Sequence, residues 1–313
     1  MQIFHDWHAL PPDARGAMVA MGNFDGVHRG HQALLRAAAA ARPDLPLAAL
    51  TFEPHPREVF RAGDAPFRLT LPAARAEALA ATGVRLLYEL RFDAAFCALS
   101  AEDFVTRVLG RGLGARALAC GEDFAFGHRR GGNVAFLAAR AAALGMELVV
   151  VPSLDDAGGP ISSSRIRNDL RAGHPEAAAL RLGRPWEIAG VVAHGAARGR
   201  TIGFPTANIA LGRQLEPARG VYAVRACLPD GRVVPGVANI GLRPTVSEGT
   251  ESRLEVHLFD FAADLYGAEL KVALIAFLRP ERRFADFAAL AAQIASDAAA
   301  ARRLLDLPPP ASA

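Results

Sequence analysis

The sequence predicts two domains: an α/β domain built on a parallel sheet, then a small antiparallel β-barrel closed by a C-terminal helix. Three observations carry this. In the first half, short apolar runs alternate with helical patterns, which implies βαβ units and a sheet covered on both faces. Near Gly183-Arg184-Pro185-Trp186 the pattern changes to short β-like runs separated by glycine and proline, the spacing of a small barrel. One amphipathic helical pattern, 284–305, closes the chain. The 313 residues suit two domains, since one typically takes ~150. The expected division is 1–183, then 184–307, then a frayed tail at 308–313 that opens with Pro308-Pro309-Pro310.

In chain order, 17–21 reads as a buried strand and 22–30 as a glycine-bearing loop. The alanine and leucine content of 31–42 makes it helical. A second strand, 47–52, is broken by Pro54 and Pro56. Apolar runs recur at 84–90, 115–120 and 146–151, with helical patterns at 72–82, 101–109 and 133–144. The β-like runs of the second half are 186–193, 220–226, 232–238, 252–261 and 269–277. Among them, Arg253-Leu254-Glu255-Val256-His257-Leu258 alternates polar and apolar, as a half-buried strand does.

Composition removes several functional classes. Hydrophobic residues make up 51% and charged residues 21%, so the chain is globular. No run approaches the ~18 apolar residues of a membrane span, and Met-Gln-Ile-Phe-His-Asp does not start a secretory signal. Cys97, Cys120 and Cys227 are widely spaced and form no CxxC, which argues against structural zinc and a disulfide scaffold. Reduced thiols in the cytoplasm are expected. The net charge is only +3, and Lys271, in an apolar strand-like run, is the sole lysine among 35 basic residues. That excludes a GxxxxGK[ST] phosphate loop and disfavours Schiff-base chemistry. No stretch interleaves clustered arginines with aromatics, so no nucleic-acid partner is expected, although a small barrel is a known platform for one.

The loop Gly22-Asn23-Phe24-Asp25-Gly26-Val27-His28-Arg29-Gly30-His31 lies where an α/β sheet places a nucleotide, between a strand end and a helix N-terminus. Its glycines permit tight turns and close backbone approach to phosphate. His28 and His31 can donate to phosphoryl oxygens that gain charge in a displacement; a pair of zinc ligands is the other reading, with no third ligand at helical spacing. Ile161-Ser162-Ser163-Ser164-Arg165-Ile166-Arg167 is either a simple helix cap or a phosphate site, with hydroxyls at a positive helix end and Arg167 as a clamp. Gly121-Glu122-Asp123-Phe124-Ala125-Phe126-Gly127 reads first as a loop with core phenylalanines, and otherwise as a holder for a ring system or ribose. Thr51-Phe52-Glu53-Pro54-His55-Pro56 forms a rigid edge beside the same crevice.

In the second half, Gly199-Arg200-Thr201-Ile202-Gly203-Phe204-Pro205-Thr206-Ala207-Asn208 links the first two barrel strands. Thr206 and Asn208 offer hard oxygens suited to Mg²⁺ on ATP, or form an ordinary turn. Gly199 and Gly203 let the loop wrap a phosphate. Glu255, in phase with Arg253 and His257, is a solvent-facing strand acid or, beside Mg·ATP, a proton acceptor.

The N-terminal loop motif Gly22 to His31, with Phe52-Glu53-Pro54-x-Pro56, Gly121-x-Asp123-Phe124-x-Phe126-Gly127 and Ile161-Ser162-Ser163-Ser164, resembles the bacterial bifunctional riboflavin kinase/FMN adenylyltransferases, the prokaryotic FAD synthetases. The second half is similar to their kinase module at Gly199 to Asn208, Gly220-Val221-Tyr222-Ala223-Val224, Gly236-Val237-Ala238-Asn239-Ile240-Gly241 with Arg243-Pro244-Thr245, and Leu254-Glu255-Val256-His257-Leu258. The resemblance spans nearly the whole chain. It implies a Rossmann-like nucleotidyltransferase domain followed by a six-stranded barrel. It also implies riboflavin, FMN, FAD and ATP as ligands and Mg²⁺ with ATP, without a tightly bound prosthetic group; a homo-oligomer is left open. The catalytic residues implied are His28, His31, Arg167 and Glu255. Nucleotide contacts fall on Gly22, Phe24, Asp25, Gly26, Ser162, Ser163, Ser164, Gly199, Gly203, Pro205, Thr206 and Asn208, with Thr206 and Asn208 on the metal. Flavin contacts fall on Phe52, Pro54, Pro56, Asp123, Phe126 and Tyr222. Three residues depart from the family's frequent choices: Ser164 for threonine, Ala125 for arginine and Asn133 for aspartate. The last two put affinity for the FMN phosphate in question.

Overall fold

A computed structural model describes residues 1–194, 204–244 and 250–307. Gly199, Gly203 and the 308–313 tail therefore lie outside the described residues. The chain forms two compact units, Met1–Ala65 with Thr70–Ser163, and Pro66–Leu69 with the chain from Ser164 onward.

The first unit is a parallel six-stranded sheet. Its strands are β1 (Gln2–Phe4), β2 (Met18–Met21), β3 (Leu47–Glu53), β4 (Leu86–Arg91), β5 (Ala117–Gly121) and β6 (Glu147–Val151), in the spatial order β1-β4-β3-β2-β5-β6. Successive residues go to opposite faces. Val19, Met21, Leu50, Tyr88 and Leu118 join one core, while Met18, Ala20, Ala49, Leu87 and Ala119 join the other. Burial on both faces is why β2 to β5 read as largely apolar runs. The helices are α1 (Arg29–Ala41), α2 (Pro56–Phe60), α3 (Pro72–Ala80), α4 (Ala94–Cys97), α5 (Ala101–Asp103) and α6 (Val134–Ala143). Leu34, Leu35 and Ala38 of α1 and Leu79 of α3 cover one face; Leu137 and Ala141 of α6 cover the other.

The helix predicted at 101–109 runs on to Gly112, with π winding over Phe104–Gly112. Gly112 is needed there, because a Cβ would lie 2.7 Å from Trp7 Cε3. Edge strand β1 is too short to register as a pattern. A two-strand hairpin, β7 (Asp155–Asp156) and β8 (Gly159–Pro160), precedes α7 (Ser163–Arg171).

In the second unit, α7 and α8 (Pro175–Leu182) place Ile166, Leu170, Ala178 and Leu182 in one core with Trp186. The strands are β9 (Trp186–Ala193), β10 (Ala207–Ala210), β11 (Gly220–Cys227), β12 (Val233–Pro244), β13 (Thr250–Leu258) and β14 (Glu269–Pro280). They close an antiparallel barrel in the order β10-β13-β12-β11-β14-β9. The run read as 232–238 continues to Pro244 because Gly236 and Gly241 sit inside the strand. A Cβ on Gly236 would strike the His257 carbonyl, so glycine lets β12 and β13 approach. Helix α9 (Phe287–Leu304) lays Ala301 against the outer barrel face, in one cluster with Val221, Ala223, Val237 and Phe259.

The fully buried Tyr88 hydroxyl donates to the Ala14 carbonyl at 2.7 Å. Tyr88→Phe is expected to lower unfolding stability by about 1–3 kcal/mol, since it strands a buried acceptor. The urea midpoint of the transition that unfolds the α/β unit measures it, and an unchanged midpoint contradicts the assignment.

Candidate active sites

The strand order of the first unit places its reactive crevice. From β2 the chain moves outward to β3 and β4, then returns to β5 on the other side of β2. An α/β sheet binds ligands outside the carboxyl ends of strands at such a switch point. The loops leaving β2 and β5 there are 22–28 and 122–127, both singled out by sequence.

The first loop turns sharply. Phe24, Gly26 and Val27 have φ of 51°, 87° and 43°, a left-handed region unusual for Phe and Val. Asp25 braces the turn: its Oδ1 accepts from Thr70 N (3.0 Å) and Thr70 Oγ1 (3.3 Å), and Thr70 Oγ1 accepts from Gly26 N (3.0 Å). Asp25 is buried, so its carboxylate shapes the loop from within. Phe24 also points inward, fully buried. Gly22 N bonds the Leu50 carbonyl (3.2 Å), joining the loop to β3.

His28 caps α1, with Nδ1 accepting from His31 N at 3.4 Å. The two rings stack, centroids 3.6 Å apart at 20°, and Phe24 meets the His31 ring edge-on at 5.1 Å. Burial, and then the neighbouring His28, hold the His31 imidazole well below the usual histidine range, so it is neutral at neutral pH. Its Nδ1 is buried without a hydrogen-bond partner among the described residues. A Cβ on Gly30 would touch the His28 ring at 3.1 Å and the Ile161 carbonyl at 3.3 Å, so glycine allows this packing. Ser163 Oγ donates to the Asp25 carbonyl at 2.8 Å. The structure thus brings the start of the serine motif against the histidine loop; Ser162 is half-buried and Ser164 exposed.

The other expected residues are placed as follows. Asp123 is exposed on the loop after β5, whereas Phe126 is packed in the core against Phe104 (5.3 Å) and Phe124 (5.5 Å). Phe52 is half-buried in an aromatic group with Phe92 and Phe96, both 5.2 Å away. Pro54 follows a cis peptide and Pro56 begins α2. Asn133 caps α6 by accepting from Phe136 N at 2.9 Å, a task asparagine performs as well as aspartate. In the second unit, Arg167 donates Nε to the Phe67 carbonyl at 2.8 Å and lies over the Phe67 ring.

The barrel assembles its own polar centre through register. Asn208 of β10 and Asn239 of β12 are each the direct partner of Glu255 on β13. Direct partners share a face, with Cβ atoms about 5 Å apart. Leu254 and Val256 point into the barrel core and Glu255 is exposed on the opposite face. Asn208 is buried; its Nδ2 donates to the Thr206 carbonyl at 3.4 Å, and its Oδ1 has no partner among the described residues. A hard carbonyl oxygen without a partner, beside the half-buried Thr206, fits a magnesium ligand. Among the described residues no group of three His, Cys, Asp or Glu could hold a metal. Thr206 and Pro205 also line a cavity of about 410 Å³, with Val192, Val256, Leu258, Phe261 and Tyr266 among its walls. Pro205 is exposed. Tyr222 differs from expectation: it is fully buried in the barrel core, its hydroxyl donates to the Ala218 carbonyl, and no surface remains for a flavin. Alternation along β11 carries it inward, which motif matching did not weigh.

His257 was seen in sequence only as a neighbour in phase with Glu255. It contacts the Pro205 carbonyl at 2.9 Å, and burial lowers its tendency to protonate.

Comparison with known proteins matches residues 10–165 to the FAD synthetase family and 182–305 to the riboflavin kinase family. A bifunctional riboflavin kinase/FMN adenylyltransferase of Escherichia coli (strain K12) is 43% identical over 298 residues, 95% of each chain. That of Pseudomonas fluorescens is 44% identical, covering 97% of this chain and 98% of the relative. That of Bacillus subtilis (strain 168) is 36% identical over 95% of each. A crystal structure described as a macrolide-efflux protein from Streptococcus pneumoniae superposes with a TM-score of 0.85 at 32% identity, over 95% of this chain and 97% of that one. Among the described residues no helix here is long and apolar enough to cross a membrane. Two family segments in this order, on relatives matched end to end, make the chain a member of the bifunctional riboflavin kinase/FMN adenylyltransferase family.

Proposed function

We propose that the chain converts riboflavin to FAD in two ATP-dependent steps, with phosphorylation in 184–307 and adenylyl transfer in 1–183. The observation that carries the reading is that each family segment holds its own polar centre: the stacked His28 and His31 in one, the paired Asn208 and Glu255 in the other.

In the kinase step, Glu255 accepts the proton of the ribityl 5′-hydroxyl as that oxygen bonds to the γ-phosphorus of ATP and ADP leaves. Its exposure leaves the carboxylate open to substrate. Thr206 Oγ1 and Asn208 Oδ1 would hold Mg²⁺ there, which offsets phosphate charge when bound. The cavity beside Thr206 suits the remainder of the nucleotide.

In the adenylyl step, a phosphate oxygen of FMN bonds to the α-phosphorus of a second ATP and pyrophosphate leaves. The attacking group is already an anion, so the step needs charge stabilisation and alignment more than a base. His28 Nδ1 accepts a backbone N–H, which places the ring hydrogen on Nε2 as a donor. Neutral His31 adds a second donor at the same helix end. Ser162, Ser163, Ser164 and Arg167 hold phosphates, the backbone at Gly22 and Gly26 admits them closely, and Phe52, Pro54, Pro56 and Asp123 border the flavin. Phe24 and Asp25 serve by shaping the turn. The cytoplasm is the compartment we assign, since both steps consume ATP and the three cysteines are unpaired.

Three measurements test this. By HPLC with riboflavin, ATP and Mg²⁺, Glu255→Gln is expected to slow FMN formation by about 10²–10⁴-fold while leaving FMN-to-FAD conversion intact. A variant phosphorylating riboflavin at the parental rate removes Glu255 from its role. The double variant His28→Ala, His31→Ala should show the converse loss, and retained FAD formation would refute the histidine assignment. By NMR of labelled imidazoles, His31 should titrate well below the ordinary 6.5. His28→Gln, by removing a neighbouring charge, should raise that titration; the sign follows because both causes disfavour the charged form. Titration of parental His31 at or above the ordinary value contradicts its burial.

A further inference from the structure

We infer that His257 is a positioning residue for the phosphoryl-transfer centre, holding Pro205 and through it the metal-side segment that carries Thr206. The inference rests on the kinase reading above. His257 follows Glu255 by two residues on β13 and so lies on the same face of the strand. Its Nδ1 is 2.9 Å from the Pro205 carbonyl oxygen. A carbonyl only accepts, so the ring nitrogen donates.

The ring cannot drift. Phe204 packs edge-on against it at 5.0 Å, and Phe259 does so at 5.9 Å. Phe259 lies under the Arg302 guanidinium, 4.6 Å from its ring centre, and Arg302 pairs with Asp260 at 2.7 Å. Helix α9 thereby anchors the strand end from which His257 reaches.

What this bond adds follows from the register. The β10–β13 ladder begins at Ala207, opposite Val256, and continues with Asn208 opposite Glu255. Pairing therefore fixes Asn208 relative to Glu255 but stops one residue short of Thr206. Thr206 sits between Ala207, held by the ladder, and Pro205, held by His257. Without the His257 bond Pro205 has no hydrogen bond among the described residues, and the Thr206 hydroxyl loses a fixed distance to Asn208 Oδ1.

Three substitutions separate this role from packing. His257→Asn places an amide N–H near the position of Nδ1, His257→Gln places it near Nε2, and His257→Phe keeps the ring without a donor. The readouts are retention of Mn²⁺ in the presence of ADP, followed by the EPR signal of free Mn²⁺, and the Mg²⁺ dependence of FMN formation. The Gln and Phe variants should weaken Mn²⁺·ADP retention about 10-fold or more, as loss of a metal-supporting contact does. His257→Asn should stay within about 3-fold of parental. At saturating Mg²⁺ the kinase turnover should largely recover, and FMN-to-FAD conversion should be unchanged throughout. Unaltered Mn²⁺·ADP retention in the Phe variant overturns the inference, as does equal weakening of the Asn and Gln variants. If the Phe variant does not fold, the Asn and Gln contrast decides alone. Absence of FMN formation by the parental protein defeats the kinase reading itself and the inference with it.

Discussion

The turn after β2 is held by one buried carboxylate, and the geometry of the first site follows from it. Left-handed backbone at Phe24 and Val27 costs of order 1–3 kcal/mol at each, and it persists because Asp25 and Thr70 lock the turn from inside. With the turn fixed, Phe24 points inward and presents its ring to the edge of His31. The chain then enters α1 with His28 as cap, and the two imidazoles stack over the first turn of the helix. Gly30 completes the arrangement, since its missing Cβ is what lets the Ile161 carbonyl and the His28 ring close in. A motif that looks like a phosphate loop is therefore partly an internal scaffold: the Asp and Phe within it serve the turn, and Gly30 serves the packing of the histidine ring.

The barrel solves the same problem differently. Its reactive groups come from separate strands, and their spacing is set by hydrogen-bonded register, which a slip of one residue would turn inside out. Asn208, Glu255 and Asn239 lie in one row across three strands because the ladders run without a bulge through that row. Closure of the barrel leaves no free edge to slip. The site is as rigid as its sheet wherever the ladder reaches, and needs side-chain support only where the ladder ends, at Pro205 and Thr206.

Much of this was legible in the sequence, for physical reasons that also explain what was not. Strands buried on both faces are largely apolar, so β2 to β5 announced themselves, and the alternation at Arg253 to Leu258 placed Glu255 on an outer face. The loop motifs marked both crevices. Periodicity could not reveal the three-residue β1, shorter than the windows it needs. The run read as 232–238 stops short of Gly241, which lies within β12. Asp25 and Tyr222 looked like ligand contacts because a motif records which residue is present and not which way it points. Both turn inward, one onto Thr70 and the other into the barrel core. The contact of His257 with Pro205 spans 52 residues and leaves no local trace at all.

The contrast between the two centres matches the contrast between the two nucleophiles. On the proposed reading a ribityl hydroxyl loses a proton as it attacks, and the barrel offers it an exposed carboxylate whose place is fixed by strand register. A flavin phosphate has no proton to lose, and the α/β unit supplies instead a stacked histidine pair in which His31 is held neutral. Had the histidine pair been protonated, two cations with centroids 3.6 Å apart in a buried site would repel. A neutral His31 can stack on His28 and still carries one N–H donor. The chain has one lysine, and it lies on β14 in the barrel, so no ammonium on the α/β unit can take over this task. Burial thus fixes the charge state of His31, while Glu255 stands on an exposed face of its strand.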